Sequence, residues 1–153
     1  GNGMAGLEFA DEAKKIVYVD LRSVKMRERC QDYIEESEFQ GIDLADFQVE
    51  EREKPSCMIA VHACGGLTDI VIEKAVEAGI AFAVMPCCYN NDMKRYDLRE
   101  PPDKRKLLYP DEKTYYDAFR MQYCREQDYE VELKDIDKRI TPMNHVIIGL
   151  PKQ

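Results

Sequence analysis

The chain has 153 residues, enough for one domain with a core of its own and no need of disulfide or metal staples. Hydrophobic residues make up 44% and charged residues 34%, which excludes a disordered chain; no apolar run nears the ~20 residues of a bilayer-crossing helix and no signal peptide is visible, so a cytoplasmic or nuclear setting without a membrane partner is expected. A net charge of −8 excludes a domain whose whole surface grips a nucleic-acid backbone, while leaving room for a local basic patch.

Gly1-Asn2-Gly3-Met4-Ala5-Gly6 reads as a glycine turn into a helix whose apolar side holds Leu7, Phe9, Ala10 and Ala13. Residues 15–20 form an apolar, β-rich run that ends in Asp20. Residues 21–37 carry the helical spacing of an amphipathic segment, with Val24, Cys30 and Ile34 on one face. Residues 39–47 suit a strand and its exit loop, and Pro55 closes a polar connector. Residues 57–65 are continuously apolar, the pattern of a strand buried on both faces of a parallel sheet. A helix follows over 69–79, with Thr68 or Asp69 as its cap and Gly79 as its stop. A second apolar strand covers 80–89. The charged, proline-containing stretch 90–110 reads as a long loop, and 110–127 as a helix with Pro110 near its start. Residues 129–139 and 144–151 read as two strands joined at Thr141 and Pro142.

Such alternation implies an α/β fold: a Rossmann-like, doubly wound, mainly parallel sheet with a C-terminal antiparallel hairpin. One domain is expected over 1–153. A glycine turn into a helix normally follows a strand, so a further strand is expected ahead of Gly1.

Gly1, Gly3 and Gly6 match G-x-G-x-x-G, in which glycines let the backbone approach a ligand and the helix start offers free N–H donors. Asp20 ends the next strand 17 positions after Gly3, close to the ~20 expected for an acid that binds ribose hydroxyls. An aspartate there also suits the N-cap of the helix over 21–37, and both roles are compatible. These residues do not by themselves separate S-adenosylmethionine from NAD.

Two further motifs close the middle strands. His62-Ala63-Cys64-Gly65-Gly66-Leu67-Thr68-Asp69 follows one, and Pro86-Cys87-Cys88-Tyr89 follows the other. On these residues the chain resembles a branch of class I S-adenosylmethionine-dependent methyltransferases with an HACG-x-x-TD and PCC signature, distantly similar to some tRNA methyltransferases. The resemblance implies a first cofactor motif at Gly1, Asn2, Gly3 and Gly6. It implies that Asp20 holds the ribose and Leu21 packs on the adenine. Asp46 and Phe47 would contact the adenine edge and face. His62, Cys64 and Gly65 would face the methyl group. The Asn/Asp-Pro-Pro-Tyr motif of amino-methylating DNA and RNA enzymes is absent.

Methyl transfer is an in-line displacement, so the protein mainly aligns the reacting atoms and excludes water. His62 is the candidate base, since an imidazole titrates near neutrality, and a buried loop-bonded histidine is the alternative. Tyr89 is the candidate for positioning substrate, or else covers the end of the sheet. Lys94, Arg95, Arg99, Lys104, Arg105 and Lys106, with Tyr96 and Tyr109, could hold RNA, although Asp92, Asp97, Glu100 and Asp103 offset their charge. Tyr115, Tyr116, Phe119 and Tyr123 read as the core and rim of their helix.

The six cysteines lack the spacing of a secreted disulfide scaffold and are expected to be reduced. His62, Cys64, Cys87 and Cys88 could form a Cys3His zinc site. Adjacent cysteines on a strand point to opposite sides, however, and the spacing is unlike usual zinc modules. Inert buried thiols and no metal are therefore the expectation, and redox chemistry at Cys87-Cys88 lacks the Cys-x-x-Cys spacing. The expected function is methyl transfer to a macromolecular acceptor, RNA ahead of protein, with S-adenosylmethionine as cofactor. A non-catalytic Rossmann-like interaction domain and an NAD-dependent oxidoreductase are the alternatives.

Overall fold

A computed structural model describes residues 4–22, 32–49, 54–89 and 108–153. The chain divides into two compact units, residues 1–48 and 49–153. Strands run parallel in one sheet and in both senses in the other, which makes the fold a mixed α/β one.

The first unit contains α1 (Met4–Leu7), β1 (Ile16–Val19) and β2 (Ser37–Gln40). β1 and β2 pair in parallel, from Ile16 opposite Ser37 to Val19 opposite Gln40. The backbone N–H of Asp20 extends the ladder to the Gln40 carbonyl at 3.3 Å. Gly6 is a point of close approach: a Cβ there would lie 2.2 Å from the Tyr18 hydroxyl. The helix expected to reach Ala13 is only one turn long. Hydrogen-bonded turns follow it, with the Ala13 N–H on the Phe9 carbonyl at 2.8 Å, and Phe9 is exposed. Of the helix expected over 21–37, residues 23–31, with Val24 and Cys30, lie outside the described residues, and its expected last turn does not form, since Asp32, Tyr33, Glu35 and Glu36 are turns and bends and Ser37 opens β2. Glu35 and Glu36 would have faced the negative end of that helix.

The second unit contains β3 (Cys57–Ala63), α2 (Leu67–Ala78), β4 (Ala81–Pro86), α3 (Glu112–Glu126), β5 (Tyr129–Asp135) and β6 (His145–Pro151). The sheet order is β3-β4-β6-β5. β3 and β4 are parallel, while β6 is antiparallel to both β4 and β5, so the closing hairpin is present with β5 at the edge. Phe82 and Val84 share a face with Gly149 and Ile147, their partners on β6. Ile70, Val71, Ile72 and Ala75 of α2 join them in the core. Burial of each large apolar side chain contributes roughly 1.5–3 kcal/mol. The Tyr129 hydroxyl lies 2.9 Å from the carbonyls of both Ala75 and Ile80, which pins α2 to the same face. Asp128 precedes β5 with φ +60, in the left-handed region.

Two expectations are corrected here. β3 is not buried on both faces: Ile59 and Val61 are exposed, because α2 and α3 lie on the opposite face and meet through Asp69 and Arg120. A second helical layer is not seen among the described residues of this unit. The cap of α2 is the backbone of Gly66, without a side-chain hydrogen bond. Thr68 instead donates to the Ala63 carbonyl at 2.7 Å, and Asp69 pairs with Arg120. Gly79 does end α2, at φ +60 in the left-handed region that glycine tolerates. Asp111 caps α3 by accepting from the Thr114 N–H at 2.7 Å. Among the described residues, no helix is long and apolar enough to cross a membrane.

Candidate functional site

Parallel pairing brings the carboxyl ends of β1 and β2 to one side, so the residues leaving both strands lie together. Asp20 follows β1 directly, half-buried, and its Oδ1 accepts the Arg22 N–H at 3.2 Å. Leu21 beside it is 66% exposed. After β2, Asp43 organises a tight turn. Its Oδ1 accepts from the Ala45 N–H at 3.0 Å, and its carbonyl from the N–H groups of Asp46 and Phe47 at 3.0 and 3.1 Å. Asp46 is exposed and Phe47 buried. Asp20 and Leu21 thus leave β1, and the segment that leads to Asp46 and Phe47 leaves β2, at the same end of the strand pair. Gly6 lies against Tyr18 of β1. Gly1, Asn2 and Gly3 lie outside the described residues, as does the basic stretch from Lys94 to Lys106.

The second unit repeats this logic with β3 and β4. The ladder slips between Val61 and Ala63, and His62 occupies that bulge at φ +57, a left-handed conformation costly for a residue with a Cβ. The bulge re-aims the end of β3, and His62 is exposed rather than buried in a loop. Gly65 adopts φ +58, and a Cβ there would meet no atom within 4 Å, so the glycine serves the backbone angle rather than a steric limit. The turn closes when the Leu67 N–H reaches the Cys64 carbonyl at 3.3 Å.

At the same end of the sheet, three sulfurs converge. Cys64 Sγ lies 2.8 Å from Cys87 Sγ, which lies 3.5 Å from Cys88 Sγ. All three fall within 4.8 Å of one another. The strand-alternation argument against such convergence fails because β4 ends at Pro86, so Cys87 and Cys88 lie beyond the pleat. Nor are these thiols deeply buried: Cys64 is exposed and the other two half-buried. Burial first, and then the neighbouring Cys64 and Cys88 thiols, push the Cys87 thiol up to about 12. His62 is not a member of the cluster. Cys57 and Cys124 are free as well.

Beneath the site runs a buried charge network that sequence reasoning missed. Arg120, only 2% exposed, donates from Nε to Asp69 Oδ1 at 2.6 Å and from Nη1 to Asp117 Oδ1 at 3.1 Å. Burial lowers the Arg120 pKa, but the charges of Asp69 and Asp117 outweigh it and raise the pKa overall. His145 Nδ1 lies 2.6 Å from Asp117 Oδ2. The Tyr89 hydroxyl donates to the same carboxylate, 3.0 and 2.9 Å from its two oxygens. Burial, followed by the Asp117 charge, pushes the Tyr89 phenol well above its ordinary value. Tyr89 is therefore held neutral, and its ring packs against Arg120, 5.7 Å from the centroid, and Tyr116, 6.4 Å between centroids. The signal for this network was a charged pair, Asp117 and Arg120, spaced i,i+3 among the aromatic residues of α3. Of those aromatics Tyr115 is buried, while Tyr116, Phe119 and Tyr123 are half-buried, as expected of core and rim.

Comparison with known proteins adds a family. A family model described as a methyltransferase domain matches residues 6–95. A Xenopus laevis "Glutathione S-transferase C-terminal domain-containing protein" is 52% identical over 31 residues, 20% of this chain and 5% of that protein. The Homo sapiens and Mus musculus proteins of that name are each 25% identical over 122 residues, 61% of this chain and 19% of theirs. The chain thus spans less than a fifth of the length of these relatives. No solved structure matches it. Because the family model covers more than half of its residues, the chain belongs to the methyltransferase domain family.

Proposed function

We propose that the chain binds S-adenosylmethionine and serves in transfer of its methyl group to a macromolecular acceptor, RNA ahead of protein. The observation that supports this reading is Asp20 directly after β1, at the carboxyl end of a parallel strand pair whose other strand leads on to the turn that holds Asp46 and Phe47. Ligands of open α/β sheets bind at the carboxyl ends of strands, and a carboxylate there accepts hydrogen bonds from vicinal ribose hydroxyls. The residues fit the cofactor: Asp20 offers the acceptor and Leu21 an exposed apolar surface for a base.

When bound, S-adenosylmethionine would supply a methyl group made electrophilic by its sulfonium. Gly65 gives the turn after β3 a backbone angle that other residues resist. Within the second unit, His62, exposed on its bulge, is the candidate base for an acceptor that arrives protonated. Tyr89, its hydroxyl fixed by Asp117, is the candidate for positioning the acceptor. The preference for RNA rests on the distant likeness to tRNA methyltransferases, the basic stretch between Lys94 and Lys106 being offset by its own acids.

The full-length protein, incubated with S-adenosylmethionine labelled in its methyl group and with cell extract, is expected to label the RNA fraction. His62→Ala should lower the rate by about 10²-fold or more, as loss of a general base does. Label in neither RNA nor protein would overturn the reading. Label in protein alone would overturn the acceptor class.

A further inference from the structure

We propose that Cys64, Cys87 and Cys88 form a binding site for a thiophilic d10 cation, Zn(II), held by three sulfurs with its fourth position open. The three Sγ atoms lie within 4.8 Å of one another, and the Cys64–Cys87 and Cys87–Cys88 separations are 2.8 and 3.5 Å. A tetrahedral zinc with Zn–S bonds of about 2.3 Å sets sulfurs about 3.8 Å apart, so adjustments of about 1 Å or less on those two edges would seat the ion. The 2.8 Å separation is well beyond the ~2.05 Å of a disulfide, so the pair is not covalently closed.

The backbone explains why three sulfurs meet. Parallel β3 and β4 deliver their exits to the same end of the sheet. Cys64 sits in the turn between β3 and α2, tied by its carbonyl to the Leu67 N–H. Cys87 and Cys88 follow Pro86, the last residue of β4, and are released from strand alternation. Two strand exits thus act as the two halves of one clamp.

The donor set selects the ion. Among the described residues, no carboxylate or imidazole joins the three thiols. Hard cations such as Mg(II) and Ca(II) require oxygen donors, whereas thiolates select zinc and Cu(I). Cys64 is exposed, so an ion can enter from solvent and retain an exchangeable water. Three protein ligands and an open position characterise reactive zinc sites rather than closed structural ones. The proposal stands on the positions of the sulfurs and does not depend on the cofactor reading.

The test uses the full-length protein, purified under reducing conditions without chelator or a metal-affinity tag, and needs no S-adenosylmethionine. Elemental analysis should find stoichiometric zinc. Replacement by Co(II) should give the ligand-field bands of a tetrahedral thiolate site and a sulfur-to-cobalt charge-transfer band. Both signals should be lost in Cys87→Ser and retained in Cys57→Ser, a free thiol outside the cluster. Should Cys87→Ser fail to fold, alkylation of the wild-type protein with and without added Zn(II) decides the matter. Zinc should protect Cys64, Cys87 and Cys88 and leave Cys57 reactive. Alkylation of the three unchanged by zinc, cobalt bands that survive Cys87→Ser, or a Cys64–Cys87 disulfide in place of metal would each overturn the proposal. Zinc binding without S-adenosylmethionine binding would uphold this site and sink the methyl-transfer reading, and the converse would separate them the other way.

Discussion

Arg120 Nε donates to Asp69 Oδ1 at 2.6 Å, joining α3 to the first turn of α2 with both side chains buried. Asp69 closes the His-Ala-Cys-Gly motif, so one of the most conspicuous acids of the sequence is architectural. Removing one member of a buried ion pair costs about 3–5 kcal/mol, and the remaining Asp117 partner of Arg120 sets the lower end of that range here. Asp69→Ala is expected to lower the stability of the domain by that amount in urea unfolding, and Asp69→Asn by less, since the amide oxygen still accepts from Arg120.

Tyr89 and Asp117 make the second expected loss. Tyr89→Phe removes a donor from a carboxylate that Arg120 and His145 continue to partner. A cost of about 1.5–3 kcal/mol follows from one hydrogen bond to a charged group. If Tyr89 positions the acceptor through its ring, Tyr89→Phe should retain most of the methyl-transfer rate and Tyr89→Ala should lose it. Equal rates in the two variants would deny the ring that role.

Much of the fold was legible in the sequence because apolar runs ending at glycine or proline mark strands plainly: β1, β3, β4 and the closing hairpin all fall where expected. The segment 32–37 misled because helical spacing of Ile34 says nothing of what the next strand requires, and Ser37 is claimed by pairing with Ile16. β3 was read as buried on both faces because an apolar run alone does not reveal whether a second layer covers it; Ile59 and Val61 are exposed. At the site, the motifs located the strand exits at Asp20, His62 and Cys87. The convergence of adjacent Cys87 and Cys88 was not legible, since it depends on β4 ending one residue earlier. Nor was the Asp69–Arg120 pair, whose members lie 51 residues apart.

Gly65 and Gly149 should fail for different reasons. Gly65→Ala forces a Cβ into φ +58, at a cost of about 1–2 kcal/mol, without a steric contact. Gly149→Ala would place a Cβ 2.2 Å from the Phe82 ring in the packed core, so the ring must shift. Urea unfolding should show the larger loss for Gly149→Ala, and a chemical-shift change at Phe82 should appear in that variant alone.

Glu73 gives a dependence on pH. Burial against α2's neighbours, then the charges of Glu77 and Asp69, raise its pKa above the ordinary glutamate value. The folded state therefore holds this proton more tightly than the unfolded chain. Its ionisation costs stability above the folded pKa, and that cost vanishes as pH falls below the unfolded value. Glu73→Gln is expected to be more stable than the parent at pH 7, with the difference shrinking toward pH 4 in thermal unfolding. A difference that grows with acid would contradict this assignment.

The nucleoside-binding role of Asp20 is tested most directly by titration calorimetry of the full-length protein with S-adenosylmethionine. Saturable binding is expected, weakened about tenfold or more in Asp20→Ala, as loss of a charged hydrogen-bond acceptor worth ~1.5–3 kcal/mol implies, with the far-ultraviolet circular dichroism unchanged. No heat of binding from the intact protein, or an affinity indifferent to Asp20, would contradict it.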